Sequence, residues 1–314
     1  MEVYNKYSVY LKKRYQDKVY KIPVNLPVTC PNRDGTCGHG GCTFCGDAGA
    51  GYEMRDAYEG VKHQVDFNKA YIGSKYKANY FIAYFQNFSN TYMPLEDFKL
   101  ALEQVQHTDV VGIALSTRPD CINTYYLEAL KEWAYKYKKD VCIELGLQTV
   151  NYHSLLKVNR GHGLAEYLDA FLQIKKYGFE ICTHLILNLP WDSMEDVIET
   201  SKCMSALKSD YVKLHALYLV KDTKLAEDYE NKKIELITQE EYRQRVITFL
   251  RYLSSDIVVQ RLIGRVPEAY TLFANWHTSW WKIHDDIVNE MIESQYVQGD
   301  LCDYLNGRAV KKFL

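Results

Sequence analysis

Apolar and polar positions along this chain follow two alternating rhythms. Short runs of aliphatic, aromatic and β-branched residues are separated by longer stretches in which apolar residues recur every three or four positions. The first kind fits strands buried on both faces, and the second fits amphipathic helices packed over them. Six such units are read. The first strand is expected from Val19 to Leu26, the second in ANYFIAYF ending near Phe85, and the third in VVGIAL before Ser116. The fourth is VCIELGL before Gln148, the fifth FEICTHLILNL before Pro190, and the sixth DYVKLHALYL ending near Leu219. Between them, PLEDFKLALEQVQ opens on Pro94, suited to a first helical turn, and AEYLDAFLQIKKYG closes on Gly178, suited to a helix stop. The alternation predicts an α/β chain of parallel strands joined by crossover helices. No repeat, low-complexity tract or Gly/Ser linker interrupts it, so a barrel-like core over residues 1–220 and a mainly helical extension over 221–314 are expected.

Length and charge narrow the class. With 314 residues, 47% of them hydrophobic, the chain can bury one large core or a core plus an appendage. A formal net charge of -2 gives no global positive field, so any nucleic-acid surface must be local. Nine cysteines without an apolar leader at the start point to a reducing compartment, and a cytoplasmic protein is expected. No apolar run approaches the ~20 residues that cross a bilayer, so membrane insertion is not expected.

The candidate chemistry lies where strands end. In parallel βα architectures reactive groups gather at the C-terminal edge of the strands. Polar residues do follow the runs here: Gln86 and Asn87, then Ser116, Thr117 and Arg118, then Gln148. Wet loops alone would give the same pattern. The segment after the first run is less ordinary, because Cys30, Cys42 and Cys45 form a C-x11-C-x2-C spacing. A 4Fe-4S cluster normally takes four thiolates, so three would leave one iron open to a substrate or cofactor. Cys37 lies in the same loop, and four thiolates could instead close a structural zinc site. Against zinc, the spacing lacks two separated CxxC knuckles. Cys121, Cys142, Cys182, Cys203 and Cys302 stand singly and read as small hydrophobes.

The loop ends in Cys-Thr-Phe-Cys, which resembles the Cys-x-aromatic-Cys ending of radical S-adenosylmethionine (SAM) enzymes. Further stretches, KIPVNLPVTCPNRDG, YFQNFSNTY, STRPDCI, ELGLQT followed by NRGH, HLILNLPWDS and VKLHALYLVKDTKLA, resemble the radical SAM group related to the Elongator catalytic subunit. The resemblance covers most of the chain and implies a partial (β/α)6 barrel. It implies that Cys30, Cys42 and Cys45 hold a 4Fe-4S cluster whose open iron is chelated by SAM, with Phe44 near the adenine and Cys37 spare. In the related oxygen-independent coproporphyrinogen oxidase family a Gln on strand four and an Arg twelve residues later contact SAM, a spacing that Gln148 and Arg160 reproduce. Gln86, Ser116 and His184 occupy positions where relatives carry other SAM contacts. Ser116 replaces an acidic ribose contact, Phe85-Gln86-Asn87 replaces a Gly-Gly-Glu stretch, and Asn188-Leu189-Pro190-Trp191-Asp192 replaces Gly-Leu-Pro-Gly-Glu. A buried, hydrogen-bonded histidine is an equal reading of His184.

The same resemblance implies an activity. Electron transfer from the cluster, fed by a reductant such as flavodoxin or ferredoxin, cleaves SAM and starts radical chemistry. Elongator relatives act on the wobble uridine of tRNA, and members from Gram-positive bacteria are linked to the aminomethyluridine pathway. There a carboxymethylaminomethyl group is trimmed and a partner methyltransferase then acts, so tRNA is the expected macromolecular partner and trimming the expected step. Two segments bear on RNA. Met1 to Lys21 interleaves Lys6, Lys12, Lys13, Arg14, Lys18 and Lys21 with five tyrosines, as a phosphate-tracking patch or a solvated helix face would. Gln260 to Lys282 holds Trp276, Trp280 and Trp281, which either stack on bases or pack a lid. Other readings are a radical SAM enzyme acting on a small molecule or protein, and a non-enzymatic zinc or iron-sulfur RNA-binding protein.

Overall fold

The computed structural model describes residues 2–47, 49, 54–264 and 268–313. Seven parallel strands form one curled sheet in the order β1-β2-β3-β4-β5-β6-β8. They are β1 Val19–Val24, β2 Tyr80–Phe85, β3 Val110–Thr117, β4 Asp140–Gln148, β5 Glu180–Ile186, β6 Tyr211–His215 and β8 Val258–Arg261. A two-residue strand, β7 Leu219–Val220, pairs antiparallel with β9 Thr271–Phe273 beside the sheet. The first five strands fall where the apolar runs place them, and the sixth run divides, with β6 ending at His215 and Leu219 opening β7. The seventh, VVQR, comes from the segment expected to be a helical extension, which also supplies the helices over it.

Among the described residues, ten α-helices flank the sheet. They are α1 Tyr7–Tyr15, α2 Val61–Tyr76, α3 Leu95–Glu103, α4 Thr124–Tyr137, α5 Tyr152–Lys157, α6 Leu164–Lys176, α7 Met194–Leu207, α8 Lys224–Glu230, α9 Gln239–Tyr252 and α10 Trp280–Glu293. Their starts are set by local chemistry. Ser193 and Asp196 exchange side-chain to backbone bonds at the start of α7, and Thr238 and Glu241 do the same for α9. Pro94 stands just ahead of α3 rather than inside its first turn, and Gly178, at φ 77°, follows the end of α6 in the left-handed turn that only glycine adopts without strain. None of the described helices is long and apolar enough to cross a membrane.

Side-chain alternation divides each strand between two environments. On β4, Val141, Ile143, Leu145 and Leu147 enter the main core beneath the helices, where Leu127, Leu130, Tyr167 and Phe171 meet them. Cys142, Glu144, Gly146 and Gln148 alternate with them and face the concave side. The lowest concave positions, Ile82, Ala114, Cys142, Cys182 and Tyr211, are apolar and are capped by Tyr7, Tyr10, Leu11 and Tyr15 of α1.

The N-terminal segment is therefore a plug for the bottom of the barrel. Asn5 accepts from the Val259 amide at 2.8 Å, and buried Gln298 receives the Asn5 amide at 2.9 Å. Two of its basic residues are committed: Lys21 pairs with buried Glu144, and Arg14 with Asp140 and Glu180. Tyr15 donates to Asp140 at 2.5 Å. The tyrosines that suggested base stacking thus form the packing face of α1, and Lys12, Lys13 and Lys18 remain exposed. Among the tryptophans, Trp276 packs on Tyr242 and donates to the Ile237 carbonyl at 2.7 Å, whereas Trp280 and Trp281 are exposed. Met1 and Arg265 to Pro267 of these two segments lie outside the described residues. Of the single cysteines, Cys142 and Cys182 are buried and Cys121, Cys203 and Cys302 half-buried.

Leu11 is 5% exposed, so Leu11→Ala should cost about 2–4 kcal/mol in urea unfolding. An unchanged midpoint would mean that α1 does not seal the floor.

Candidate active site

One cavity of about 470 Å³ opens at the C-terminal ends of the strands and reaches into the barrel. Every site residue named from the sequence lines it: Cys30, Cys42 and Cys45, with Phe44, Gln86, Ser116, Gln148, Arg160 and His184. Cys37 does not, and is exposed.

The cysteine loop follows β1 and is clasped by the segment after α5. The Thr43 amide donates to the Val158 carbonyl at 3.0 Å, and the Asn159 side chain donates to the carbonyls of Gly41 and His39 at 2.8 and 3.1 Å. Each cavity-lining sulfur receives its own guanidinium: Arg118 reaches Cys30 at 3.8 Å, Arg160 reaches Cys42 at 3.4 Å, and Arg33 reaches Cys45 at 3.7 Å. Burial pushes the Cys45 thiol up to about 11, with Cys42 adding to the shift. Three sulfurs that converge on one cavity, each faced by a cationic donor, suit thiolates bound to a metal centre, because metal coordination is what deprotonates them. The exclusion of Cys37 agrees with three ligands rather than four.

The end of β4 is shaped to admit Arg160. A Cβ on Gly146 would sit 2.7 Å from the Arg160 guanidinium, which donates to the Gly146 carbonyl at 2.8 Å. The pairing register slips between Gly146 and Gln148, and Gln148 stands at φ 81°, a left-handed backbone that costs a non-glycine residue about 1–3 kcal/mol. The irregularity leaves the Gln148 side chain on the cavity wall. Arg160 Nε, also buried, has no hydrogen-bond partner among the described residues. Asn188 is buried and accepts from the Leu217 amide at 2.7 Å.

Deeper in the cavity lies a charged group that the sequence reading missed. Glu144 is fully buried; Lys21 donates to one of its oxygens, and Lys213 and His184 to the other at 2.8 and 2.6 Å. Lys213 also donates to the Tyr84 hydroxyl at 2.9 Å, which in turn bonds Ser116 at 2.9 Å. Burial alone would raise the Glu144 carboxyl, but Lys21 and Lys213 hold it well below the usual carboxylate range. Burial lowers His184 to about 4, so it donates as a neutral ring whose Nε2 is committed to Glu144. Cys182 lies with Glu144 and His184 within 4.8 Å, but both carboxylate oxygens already accept from nitrogen donors, so this is an ion-pair centre. Arg261 and His215 complete the wall. The signal for the group was a charge in the middle of an apolar run, Glu in VCIELGL and Lys in DYVKLHALYL.

The comparisons with known proteins agree with this geometry. The description "Radical SAM superfamily" matches residues 31–204, and "Radical_SAM C-terminal domain" matches 209–293. The uncharacterized protein YtqA of Bacillus subtilis is 34% identical over 300 residues, spanning 94% of this chain and 92% of its own. Among solved structures, the archaeal Methanocaldococcus infernus Elp3 with an N-terminal deletion superposes with a TM-score of 0.66 at 14% identity, over 89% of this chain. Coproporphyrinogen III oxidase (HemN) of Escherichia coli, a radical SAM enzyme, gives 0.50 at 16% identity over 76%. The chain spans 64% and 53% of those two solved chains, and both likenesses concern the fold.

Iron analysis checks the ligand set: Cys30→Ala, Cys42→Ala or Cys45→Ala should each lose the roughly four irons per chain that Cys37→Ala retains. Loss of iron in Cys37→Ala would overturn the assignment. The ion-pair centre has its own signature, because burial lowers Lys213 from 10.5 to about 8. Between those values the unfolded chain binds the extra proton, so stability should rise with pH relative to Lys213→Met. A pH-independent difference in urea midpoint would show that Lys213 is not held in this environment. By its matched regions, its relative over nearly the whole chain and its curled parallel sheet, this protein belongs to the radical SAM superfamily and uses a 4Fe-4S cluster and SAM.

Proposed function

We propose that the chain modifies tRNA, converting a carboxymethylaminomethyl group at C5 of the wobble uridine to aminomethyl. The observation that carries this reading is the cavity itself, which joins three cysteine sulfurs at its mouth to a cationic interior. The Elongator-like motifs and the Elp3-like fold support the choice of RNA over a free metabolite.

In this reading Cys30, Cys42 and Cys45 hold the cluster, and Phe44, Gln86, Gln148 and Arg160 flank SAM. Arg160 offers a planar fork and Gln148 both a donor and an acceptor. His184 and Ser116, tied to Glu144 and Tyr84, act as part of the interior wall rather than as direct contacts. When bound, the cluster and SAM supply abstraction of a hydrogen atom, with SAM as the net two-electron oxidant. The carbon attacked is the methylene between nitrogen and carboxylate. Removal of two electrons and two protons there gives an imine, and water splits it to the aminomethyl nucleoside and glyoxylate. The plug formed by α1 keeps solvent from entering through the floor.

The reading implies a cytoplasmic site of action, a flavodoxin- or ferredoxin-type donor for the cluster, and a methyltransferase that consumes the primary amine. Mass spectrometry of tRNA nucleosides tests it in cells lacking the protein, complemented with wild type or Cys42→Ala. Carboxymethylaminomethyluridine should accumulate in all but the wild-type complement; an unchanged nucleoside profile refutes the tRNA role and directs the search to metabolites and proteins.

A further inference from the structure

The interior end of the cavity carries more positive charge than its own residues neutralise. Lys21, Lys213 and Arg261 line or border it, and Glu144 is the carboxylate set among them. The side chains of Lys21, Lys213 and Glu144 are 17%, 10% and 0% exposed, so solvent screens them little. His184 and His215 are both pushed down by burial and add no negative charge. Among the described residues, one carboxylate is thus set against three cations.

The unneutralised member is Arg261. It donates to the Leu214 carbonyl at 3.3 Å and to the His215 Nδ1 at 2.6 Å, both uncharged acceptors. No carboxylate of the described residues pairs with it, while Lys21 and Lys213 both bond Glu144. Lys213 and Arg261 are register partners on β6 and β8, which places two cations side by side on one wall. Like charges in that relation repel unless an anion lies between them. An arginine fork beside an ammonium is the arrangement that receives a carboxylate on two oxygens.

We infer that Arg261 and Lys213 form a carboxylate-binding site at the β6–β8 wall of the cavity, and that it receives a terminal carboxylate of the substrate. The inference rests on the proposed tRNA reading for the identity of that substrate. The carboxymethylaminomethyl group ends in such a carboxylate, and the aminomethyl product lacks it. The same wall therefore separates substrate from product, since release of glyoxylate leaves the cations without a partner. Lys213 is shared between this ligand and Glu144. Among the described residues Arg261 has no such competing anion, so it is the specificity-determining residue. A second source of the same chemistry is the carboxylate of SAM, and the experiment separates the two.

Two synthetic anticodon stem-loops, identical except for carboxymethylaminomethyl or aminomethyl at the wobble uridine, are titrated onto the iron-loaded chain with SAM present, and binding is read by fluorescence anisotropy. Wild type should prefer the carboxylate-bearing loop by about tenfold or more, as for a charge-assisted hydrogen bond. Arg261→Met should bind both loops equally, and Arg261→Lys, which keeps the charge without the fork, should retain part of the preference. SAM affinity measured without RNA should match wild type in both variants. Equal binding of the two loops by wild type overturns the site, and a preference surviving in Arg261→Met overturns the role of Arg261. A loss of SAM affinity in Arg261→Met assigns the carboxylate to SAM instead. If neither loop binds, the tRNA reading fails and N-methylglycine is the probe, with dimethylamine as the control lacking a carboxylate. N-methylglycine should then raise the thermal midpoint of wild type but not of Arg261→Met, and the absence of that rise overturns the inference.

Discussion

A single buried carboxylate organises the interior of this barrel. Glu144 on β4 draws in Lys21 from β1, His184 from β5 and Lys213 from β6. Lys21 also donates to Gln260 of β8 at 2.9 Å. The first and last strands of the curled sheet do not pair with each other, so these side chains connect its two edges where backbone hydrogen bonds cannot. Removing one member of such a group leaves the others buried and uncompensated, at about 3–5 kcal/mol. The arrangement is costly to build from isolated ions, because each charge must leave water before it meets its partner.

The mouth of the cavity follows a related logic with the polarity reversed. Three guanidinium groups face three sulfurs, so negative charge gathered on a sulfur-bound centre is met by fixed donors. Hydrogen bonds to the sulfurs and the surrounding charge are among the terms that set a cluster's potential. Two of the three arginines, Arg118 and Arg160, are buried and come from different loops, so this set of sulfurs and guanidinium groups is complete only when β3, β4 and the cysteine loop are all in place. Gly146 and the strained Gln148 backbone are the local price of bringing Arg160 so close.

Much of this was readable before any coordinates. The first six strands, the three cysteines and the Gln148–Arg160 pair all follow from runs, spacing and resemblance, because each is a local pattern in the chain. What stayed hidden depends on contacts between distant segments. Lys21 counted as one more charge in a basic N-terminal stretch, and only the fold reveals that it reaches Glu144, 123 residues away. The tyrosines of α1 looked like stacking platforms because nothing local shows that Cys142, Cys182 and Tyr211 form an apolar floor beneath them. The four residues of VVQR carry too little periodicity to separate a strand from a loop. Glu144 and Lys213 did leave a trace, as charges inside runs that should have been wholly apolar.

The floor of the barrel has a kinetic consequence. Asn5 meets Gln298 across 293 residues of chain, and closing a loop of that length costs roughly 5 kcal/mol of chain entropy. Contacts of that sequence separation are slow to form, so the full set of plug contacts waits on β8 and the helix that precedes Gln298. The apolar floor of Cys142, Cys182 and Tyr211, beneath the Glu144 centre, is covered by Tyr7 and Tyr10 of that segment. Both ends of the sequence belong to one cooperative unit, so that loosening either one opens the same door.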